Sequence, residues 1–85
     1  MARYKIEVKK SAVKELSDIP KKDLRRIVAR IQALADNPRP PGSIRLSAEE
    51  RYRIRQGRYR ILYTVDDDAV AVNVVKVAHR RDVYR

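Results

Sequence analysis

Arginine is concentrated in two parts of this 85-residue sequence. The first is a segment of alternating residue type that holds Arg53, Arg55, Arg58 and Arg60. The second is the C-terminal segment, which carries His79, Arg80, Arg81 and Tyr84. The planar guanidinium group forms paired hydrogen bonds with phosphate oxygens. The chemistry that these residues favour is therefore the binding of a phosphodiester and the stabilisation of charge that develops on it.

Internal cleavage of RNA would need more than positive charge. A base must take the proton of the 2′-hydroxyl, an acid must protonate the 5′-oxygen, and positive charge must stabilise the phosphorane. Arginine stays protonated at neutral pH and cannot be the base. Positive charge around Tyr84 favours its phenolate, which makes Tyr84 a candidate base. The single histidine, His79, could be an acid, a base or an ordinary residue at a strand end.

The acidic residues do not predict a metal site. Asp66, Asp67 and Asp68 are adjacent and alternate in direction, so a solvated turn is the preferred interpretation. The sequence has no Cys, which excludes a disulfide and a cysteine-ligated metal. We therefore expect metal-independent chemistry without a small-molecule cofactor.

The composition indicates a small basic protein. Lys and Arg number 21 against 11 Asp and Glu, which gives a net charge of +10, and fourteen of the basic residues are Arg. The isoelectric point near 10.4 is typical of a nucleic-acid binder, although an anionic membrane surface or an acidic protein partner would also attract such a chain. The length predicts a single domain over residues 1–85, and the absence of a signal-like or membrane-spanning apolar run predicts a soluble, cytoplasmic protein.

Hydrophobic periodicity predicts the elements that position these residues. Residues 4–8 alternate as a strand does, and two helical stripes follow: Ala12, Val13, Leu16 and Ile19, then Leu24, Ile27, Val28, Ile31, Leu34 and Ala35. Ser11 is the expected N-cap of the first helix, and Pro20 is expected in the first turn of the second with Asp18 as its cap. Residues 37–43 form a proline-rich loop, and Ile44 and Leu46 are expected to anchor its far end against the core.

The C-terminal half predicts three strands, over residues 52–55, 58–65 and 69–78, the last buried on both faces. The fold class is therefore α+β: an N-terminal strand, a two-helix hairpin and a three-stranded antiparallel meander, with the helices on one face of the sheet. If Gln56 and Gly57 form a two-residue turn, Arg55 lies opposite Arg58 and Arg53 lies opposite Arg60. All four arginines then share the exposed face, where like charges oppose one another unless an anion neutralises them. Tyr52, Ile54, Tyr59, Ile61 and Tyr63 would face the helices.

Three segments in this order resemble the strand signature of RelE-type toxins of the RelE/ParE superfamily: residues 52–55, 57–63 and 77–84. The helical hairpin and the loop that begins at Asn37 are similar too. The resemblance implies a fold like that of microbial ribonucleases, ribosome-dependent cleavage of mRNA, and neutralisation by a cognate antitoxin, which we expect to be acidic and RelB-like. It implies catalytic roles for Arg60, Arg80 and Tyr84 and RNA binding by Arg53 and Arg55. Arg58, His79 and Arg81 complete the substrate-binding set that we expect to converge there.

Two other functions fit much of the same pattern. A ParE-like gyrase inhibitor would have the same fold without nuclease activity, but relatives of that kind generally lack the constellation of Arg60, Arg80 and Tyr84. A non-catalytic RNA-binding module would use the same basic face. Retention of RNA binding without mRNA cleavage would identify the latter.

Overall fold

The computed structural model describes residues 3–46 and 51–79. The elements in chain order are β1 (Lys5–Val8), α1 (Lys10–Ser17), α2 (Lys21–Ala33), β2 (Ile44–Arg45), β3 (Arg51–Gln56), β4 (Tyr59–Asp66) and β5 (Ala71–His79). Neither helix in these two ranges is both long and apolar enough to cross a membrane.

The strands form one sheet in the order β1-β5-β4-β3-β2. β1 pairs in parallel with β5, and the other neighbours are antiparallel. The predicted α+β class, with a helical hairpin on a mainly antiparallel sheet, is confirmed. β2 was not predicted, because two residues are too few to show a period. The expectation that Ile44 and Leu46 anchor the loop in the core is wrong, since they are 46% and 43% exposed at the β2 edge.

The helix boundaries differ from those predicted. Lys9 is the N-cap of α1, so Ser11 lies inside the helix, and no side chain caps that end. Asp18 terminates α1: its backbone N–H donates to the Glu15 carbonyl at 3.2 Å, and the Ile19 N–H donates to the Leu16 carbonyl at 3.1 Å. Pro20 is the N-cap of α2, and its carbonyl accepts the Leu24 N–H at 2.9 Å. Because proline has no N–H and fixes φ near −65°, the chain stops one helix there and starts the next at an angle.

The core lies between the helices and one face of the sheet. Ala12, Ile27, Ile31 and Leu34 come from the helical segments and are at most 5% exposed. They pack against alternate residues of the three central strands: Tyr52, Ile54, Ile61, Tyr63, Val65, Val72, Val74 and Val77. The helical stripe and the strand alternation thus meet on one apolar surface, which is the main stabilising term in a chain this small.

β5 contains a bulge that changes which of its residues face the core. Leu62 pairs with Lys76 while Tyr63 pairs with Val74, so Val75 is an extra residue on β5. Val74 and Val77 are separated by three positions and would point to opposite faces of a regular strand. The bulge lets both face the core. One face of β5 is buried and the other half-buried, so the prediction of burial on both faces is wrong.

The proline-rich loop is ordered by hydrogen bonds to three elements. The Tyr63 hydroxyl donates to the Pro38 carbonyl at 2.7 Å, and Arg39 Nε donates to the Tyr52 hydroxyl at 2.8 Å. The same guanidinium forms a two-point contact with the Asp67 carboxylate, at 2.8 and 3.2 Å. The predicted loop is confirmed, and these contacts fix it beside the β4–β5 turn.

Candidate functional site

Arg53, Arg55 and Arg60 lie on the sheet face opposite the helices, which Arg51 also shares. Arg55 pairs directly with Arg60 across β3 and β4, and Arg53 pairs with Leu62. Because directly paired residues lie on one face, these side chains point away from the core that holds Tyr52, Ile54 and Ile61. We call Arg53, Arg55 and Arg60 the arginine face. The core-facing set predicted from the alternation is confirmed.

The turn that joins β3 and β4 differs from the predicted one. It consists of Gly57 and Arg58, with Gln56 paired to Tyr59. Gly57 has φ of 60° while Arg58 is not among the residues with positive φ. Positive φ at the first central position alone is the pattern of a type II′ turn, in which Gly occupies that position. The predicted pairs of Arg55 with Arg58 and of Arg53 with Arg60 are therefore wrong, and Arg58 lies in the turn.

Burial divides the arginine face into two kinds of residue. Arg53 and Arg60 are each only 8% exposed, and the Nε atom of each is fully buried. Arg55 is exposed. The expectation of a uniformly exposed basic face is therefore wrong. A charged group held away from water interacts more strongly with a bound anion than an exposed one does, so Arg53 and Arg60 are the stronger candidates for charge stabilisation.

The small residue Ala78 stands opposite Arg60 on its other side, where β5 pairs with β4. Arg60 is thus flanked by Arg55 on one strand and by a methyl group on the other. Arg80, Arg81 and Tyr84 follow β5 in sequence and lie outside the described residues.

His79 does not lie on the arginine face. It pairs with Tyr59, and Tyr59 packs against the core, so both residues are on the helix side of the sheet. Their ring centroids are 5.6 Å apart in an edge-to-face arrangement with an interplanar angle of 81°. The prediction that His79 converges with Arg53, Arg55 and Arg60 is wrong, because Tyr59 and Arg60 are consecutive in β4 and the strand alternation puts them on opposite faces.

Asp67 is more than a solvated turn residue. Its carboxylate accepts the Tyr4 hydroxyl at 2.7 Å and the two Arg39 nitrogens. These hydrogen bonds, from Arg39 first and Tyr4 second, lower the pKa of Asp67 below its ordinary value. Asp66 and Asp68 are exposed, as predicted for the turn. Within residues 3–46 and 51–79, no three His, Cys, Asp or Glu side chains are grouped to hold a metal ion.

This network of Tyr4, Arg39, Tyr52 and Asp67 was not predicted from the sequence. In the sequence, Asp67 is 63 positions from Tyr4 and 28 positions from Arg39. The one available signal was an arginine between two prolines, which places a cation in a rigid loop. The network holds that loop and the β4–β5 turn at the end of the sheet remote from the arginine face, so its role is structural.

The chain is similar over nearly its whole length to known toxins. The family model described as "ParE toxin of type II toxin-antitoxin system, parDE" matches residues 6–84. Toxin RelG of Mycobacterium tuberculosis is 30% identical over 86 residues, which cover 96% of this chain and 97% of that protein.

Two solved complexes contain chains of the same fold. A chain of the archaeal RelE-RelB complex from Pyrococcus horikoshii OT3 superposes with a TM-score of 0.82 at 25% identity, covering 95% of this chain and 99% of that one. A chain of the toxin-antitoxin complex RelBE2 from M. tuberculosis gives 0.83 at 28% identity, covering 96% and 97%. The family description names ParE, whereas these relatives are named as Rel toxins. The comparisons therefore define the family of this chain and not the molecule on which it acts.

Proposed function

We propose that this chain, which belongs to the ParE toxin family of type II toxin–antitoxin systems, is a toxin that cleaves messenger RNA on the ribosome. The observation that supports this target is the arginine face. Arg55 and Arg60 are directly paired, and Arg53 lies two residues from Arg55 on the same strand face. Such a concentration of guanidinium groups suits the phosphates of a nucleic acid.

In the proposed reaction the 2′-hydroxyl of one nucleotide attacks the adjacent phosphorus and the 5′-oxygen leaves. Arg60 stabilises the charge of the phosphorane, and its low exposure strengthens that effect. Arg53 and Arg55 hold the flanking phosphates. Tyr84 is assigned to take the 2′-proton, and Arg80 is assigned to stabilise the negative charge of the leaving 5′-oxygen, which takes its proton from water. Arg81 adds a phosphate contact, and Arg58 contributes from the turn.

The proposed enzyme has few groups for proton transfer, so substrate orientation must supply much of the rate. Holding the reacting atoms in line can contribute several kcal/mol to the lowering of a barrier, on the order of 7–11 kcal/mol in favourable cases. A ribosome that presents the mRNA in a fixed conformation would provide this orientation. The proposed dependence on the ribosome follows from that need.

We also assign an antitoxin partner to the chain. Both solved neighbours come from toxin–antitoxin complexes. The net charge of +10 favours an acidic partner, and a RelB-like segment that neutralises the arginine face would exclude RNA from it. Binding to the folded state alone would also stabilise this small domain by mass action.

One observation favours a second candidate, inhibition of gyrase: the matching family description names ParE. A protein-targeting toxin would not need charge stabilisation at a scissile phosphate. A third possibility, RNA binding without cleavage, would use the same arginine face. Both differ from the proposed function in what Arg60 does.

The deciding experiment is single-turnover cleavage of ribosome-bound mRNA by purified toxin and its variants. Arg60→Met is the informative variant, because Arg60 is 8% exposed and Arg60→Ala would leave a void as well as remove the charge. Loss of such a charge contact lowers the rate by about 10²–10³-fold. Arg51→Met is the matched control, since Arg51 is on the same strand face but pairs with Thr64.

Three outcomes would contradict the proposal. Cleavage by Arg60→Met at the wild-type rate would exclude a catalytic role for that charge. Absence of cleavage by the wild-type protein, together with inhibition of DNA supercoiling by gyrase, would establish the gyrase target. Retained RNA binding with no cleavage by any form would identify the binding module.

A further inference from the structure

A second basic concavity lies on the helix side of the sheet, at the end that holds the β3–β4 turn. Its volume is about 490 Å³. It lies between the start of α2 and the turn and is lined by Lys22, Asp23, Arg26, Gly57, Arg58, Tyr59 and His79. We call it the helix-face groove. Tyr59 and His79 also line a neighbouring cavity of about 340 Å³, so their rings form a wall common to both.

The charges of the groove converge from two separate elements. Lys22 and Arg26 are one helical turn apart and therefore share a face of α2. Arg58 approaches from the turn. Among the lining residues that the structure describes, Asp23 is the one carboxylate. Like charges that face one another across a concave surface raise the local positive potential well above that of isolated surface cations.

The neighbouring cavity has the opposite character. Glu15 and Asp18 line it, and the Glu15 carboxylate accepts the Val77 N–H at 2.9 Å and the Lys76 Nζ at 2.8 Å. These two hydrogen bonds hold the Glu15 carboxylate at the edge of β5, beyond the residues of β5 that pair with β1. Lys76 also lines this cavity and its ion pair with Glu15 neutralises both charges, so with Asp18 remaining this side attracts an anionic strand less than α2 and the turn do.

The ring wall supplies a feature that a purely basic patch lacks. Tyr59 is half-buried against the core, so its ring is held in place, and His79 stands edge-on to it. Proteins that bind single-stranded nucleic acid without sequence preference combine a positive groove with aromatic rings on which bases stack. Both parts of that combination are present here.

The groove and the arginine face share the β3–β4 turn. Gly57 and Arg58 connect Gln56 to Tyr59, so the turn lies between Arg55 on one face and the groove on the other. A flexible strand that leaves the arginine face around this turn passes Arg58 and reaches Lys22 and Arg26. We propose that the helix-face groove binds a second stretch of the same single-stranded RNA, with phosphates on Lys22, Arg26 and Arg58 and a base against Tyr59 and His79. This inference rests on the proposed function for the identity of its ligand.

The test compares two double variants of the full-length protein that remove the same charge from the same helix. Lys22→Ala/Arg26→Ala removes the two groove cations that α2 supplies, and Lys21→Ala/Arg25→Ala removes residues of the same types and spacing that do not line the groove. Fluorescence anisotropy would measure the binding of 2′-O-methyl oligouridylates of about 4 and about 12 nucleotides, which cannot be cleaved. Each is titrated over a range of salt concentrations.

We expect the long oligonucleotide to distinguish the variants. Loss of two phosphate contacts should reduce the slope of log affinity against log salt by about 1.4 for Lys22→Ala/Arg26→Ala, whereas the slope of the control pair should stay at the wild-type value. The short oligonucleotide, which the arginine face alone can hold, should show no difference between the pairs. Equal slopes for both pairs with the long oligonucleotide would overturn the inference.

The ring wall is tested separately with His79→Ala. Loss of base stacking should weaken binding of the long oligonucleotide at fixed salt by at least about fivefold without a change in slope. Unchanged affinity, with a melting temperature equal to that of the wild type, would show that no base rests there.

Failure of the inference and failure of the proposed function give different results. A wild-type protein with a flat salt dependence would overturn RNA binding altogether. A steep wild-type dependence that is unaffected by Lys22→Ala/Arg26→Ala would overturn the groove assignment alone. If that variant loses binding of a poly-glutamate peptide but not of RNA, the groove takes an acidic protein segment and our assignment is wrong.

Discussion

Replacement of Tyr63 by Phe should destabilise the protein by about 1–2 kcal/mol. Tyr63 is fully buried, and its hydroxyl donates to the carbonyl of the buried residue Pro38 at 2.7 Å. The substitution keeps the ring but leaves that carbonyl without this donor, which costs about 1–3 kcal/mol and is partly offset by the easier burial of Phe. In a domain of this size, 1 kcal/mol changes the melting temperature by about 4–8 °C, so a decrease of about 5–15 °C is expected.

The effect of the substitution should depend on pH in the alkaline range. Burial raises the pKa of Tyr63 from 10.0 to about 12. Because the folded pKa lies above the unfolded value, the stabilisation is fully present below pH 10 and is lost as the pH rises through 12. A shift of this size corresponds to about 2–3 kcal/mol. The difference in stability between the wild type and Tyr63→Phe should therefore be constant up to pH 10 and disappear toward pH 12.

Thermal unfolding followed by circular dichroism at pH 7, at the ordinary tyrosine pKa of 10.0 and near pH 12 would measure both effects. Tyr59→Phe is the matched control, since it removes a hydroxyl from a half-buried ring on the same core. Equal melting temperatures for Tyr63→Phe and Tyr59→Phe at neutral pH would refute the role of the Pro38 hydrogen bond. A difference that persists undiminished at the highest pH would refute the role of burial in the titration.

Three further predictions concern the turns and the arginine face. Asp67→Asn should lower the melting temperature at neutral pH, and the difference from the wild type should disappear in acid. Because the pKa of Asp67 is lowered in the folded state, its contribution to stability is present above pH 3.8 and is lost as the pH falls through the folded-state pKa. A difference in melting temperature that does not depend on pH would contradict this. Gly57→Ala should lower the free energy of unfolding by about 1 kcal/mol. No atom crowds the added methyl group, but Gly57 has φ of 60°, which is unfavourable for alanine. Urea unfolding equal to that of the wild type would count against the turn assignment. Arg55→Thr should raise stability by about 0.2–1 kcal/mol while weakening RNA binding, because it removes a like charge opposite Arg60. Arg51→Thr, opposite Thr64, should leave stability and RNA binding nearly unchanged. Identical behaviour of the two variants would contradict the pairing.

The fold class could be predicted because its signals are local. Ile27, Ile31 and Leu34 recur at helical spacing, and Tyr52, Ile54, Ile61 and Tyr63 alternate at strand spacing. All of them are buried where the pattern placed them. The same alternation put Arg53, Arg55 and Arg60 together on the opposite face, so this part of the candidate site was predictable as well.

The exact register was not predictable in the same way. A two-residue turn can place Gly57 first or second, and both choices leave every residue on the same face because the partner position changes by two. The assignment of residues to the two faces of the sheet was therefore correct although the predicted pairing was wrong. Arg58 was misplaced because its position depends on which choice the turn makes, and the turn residues alone do not settle that choice.

Taken by itself, the sequence determined the basic charge, the helical hairpin, the core-facing residues and the family resemblance, since each depends on composition or on short-range periodicity. The tertiary structure decided that Arg53 and Arg60 are buried, that His79 lies with Tyr59 on the helix side, and that Asp67 joins Arg39 and Tyr4. Burial, the side of a strand end and contacts over long sequence separations depend on how distant segments pack. The bulge at Val75 shows the reason most directly: one extra residue reverses the facing of every position after it, and only pairing with β4 reveals where it occurs.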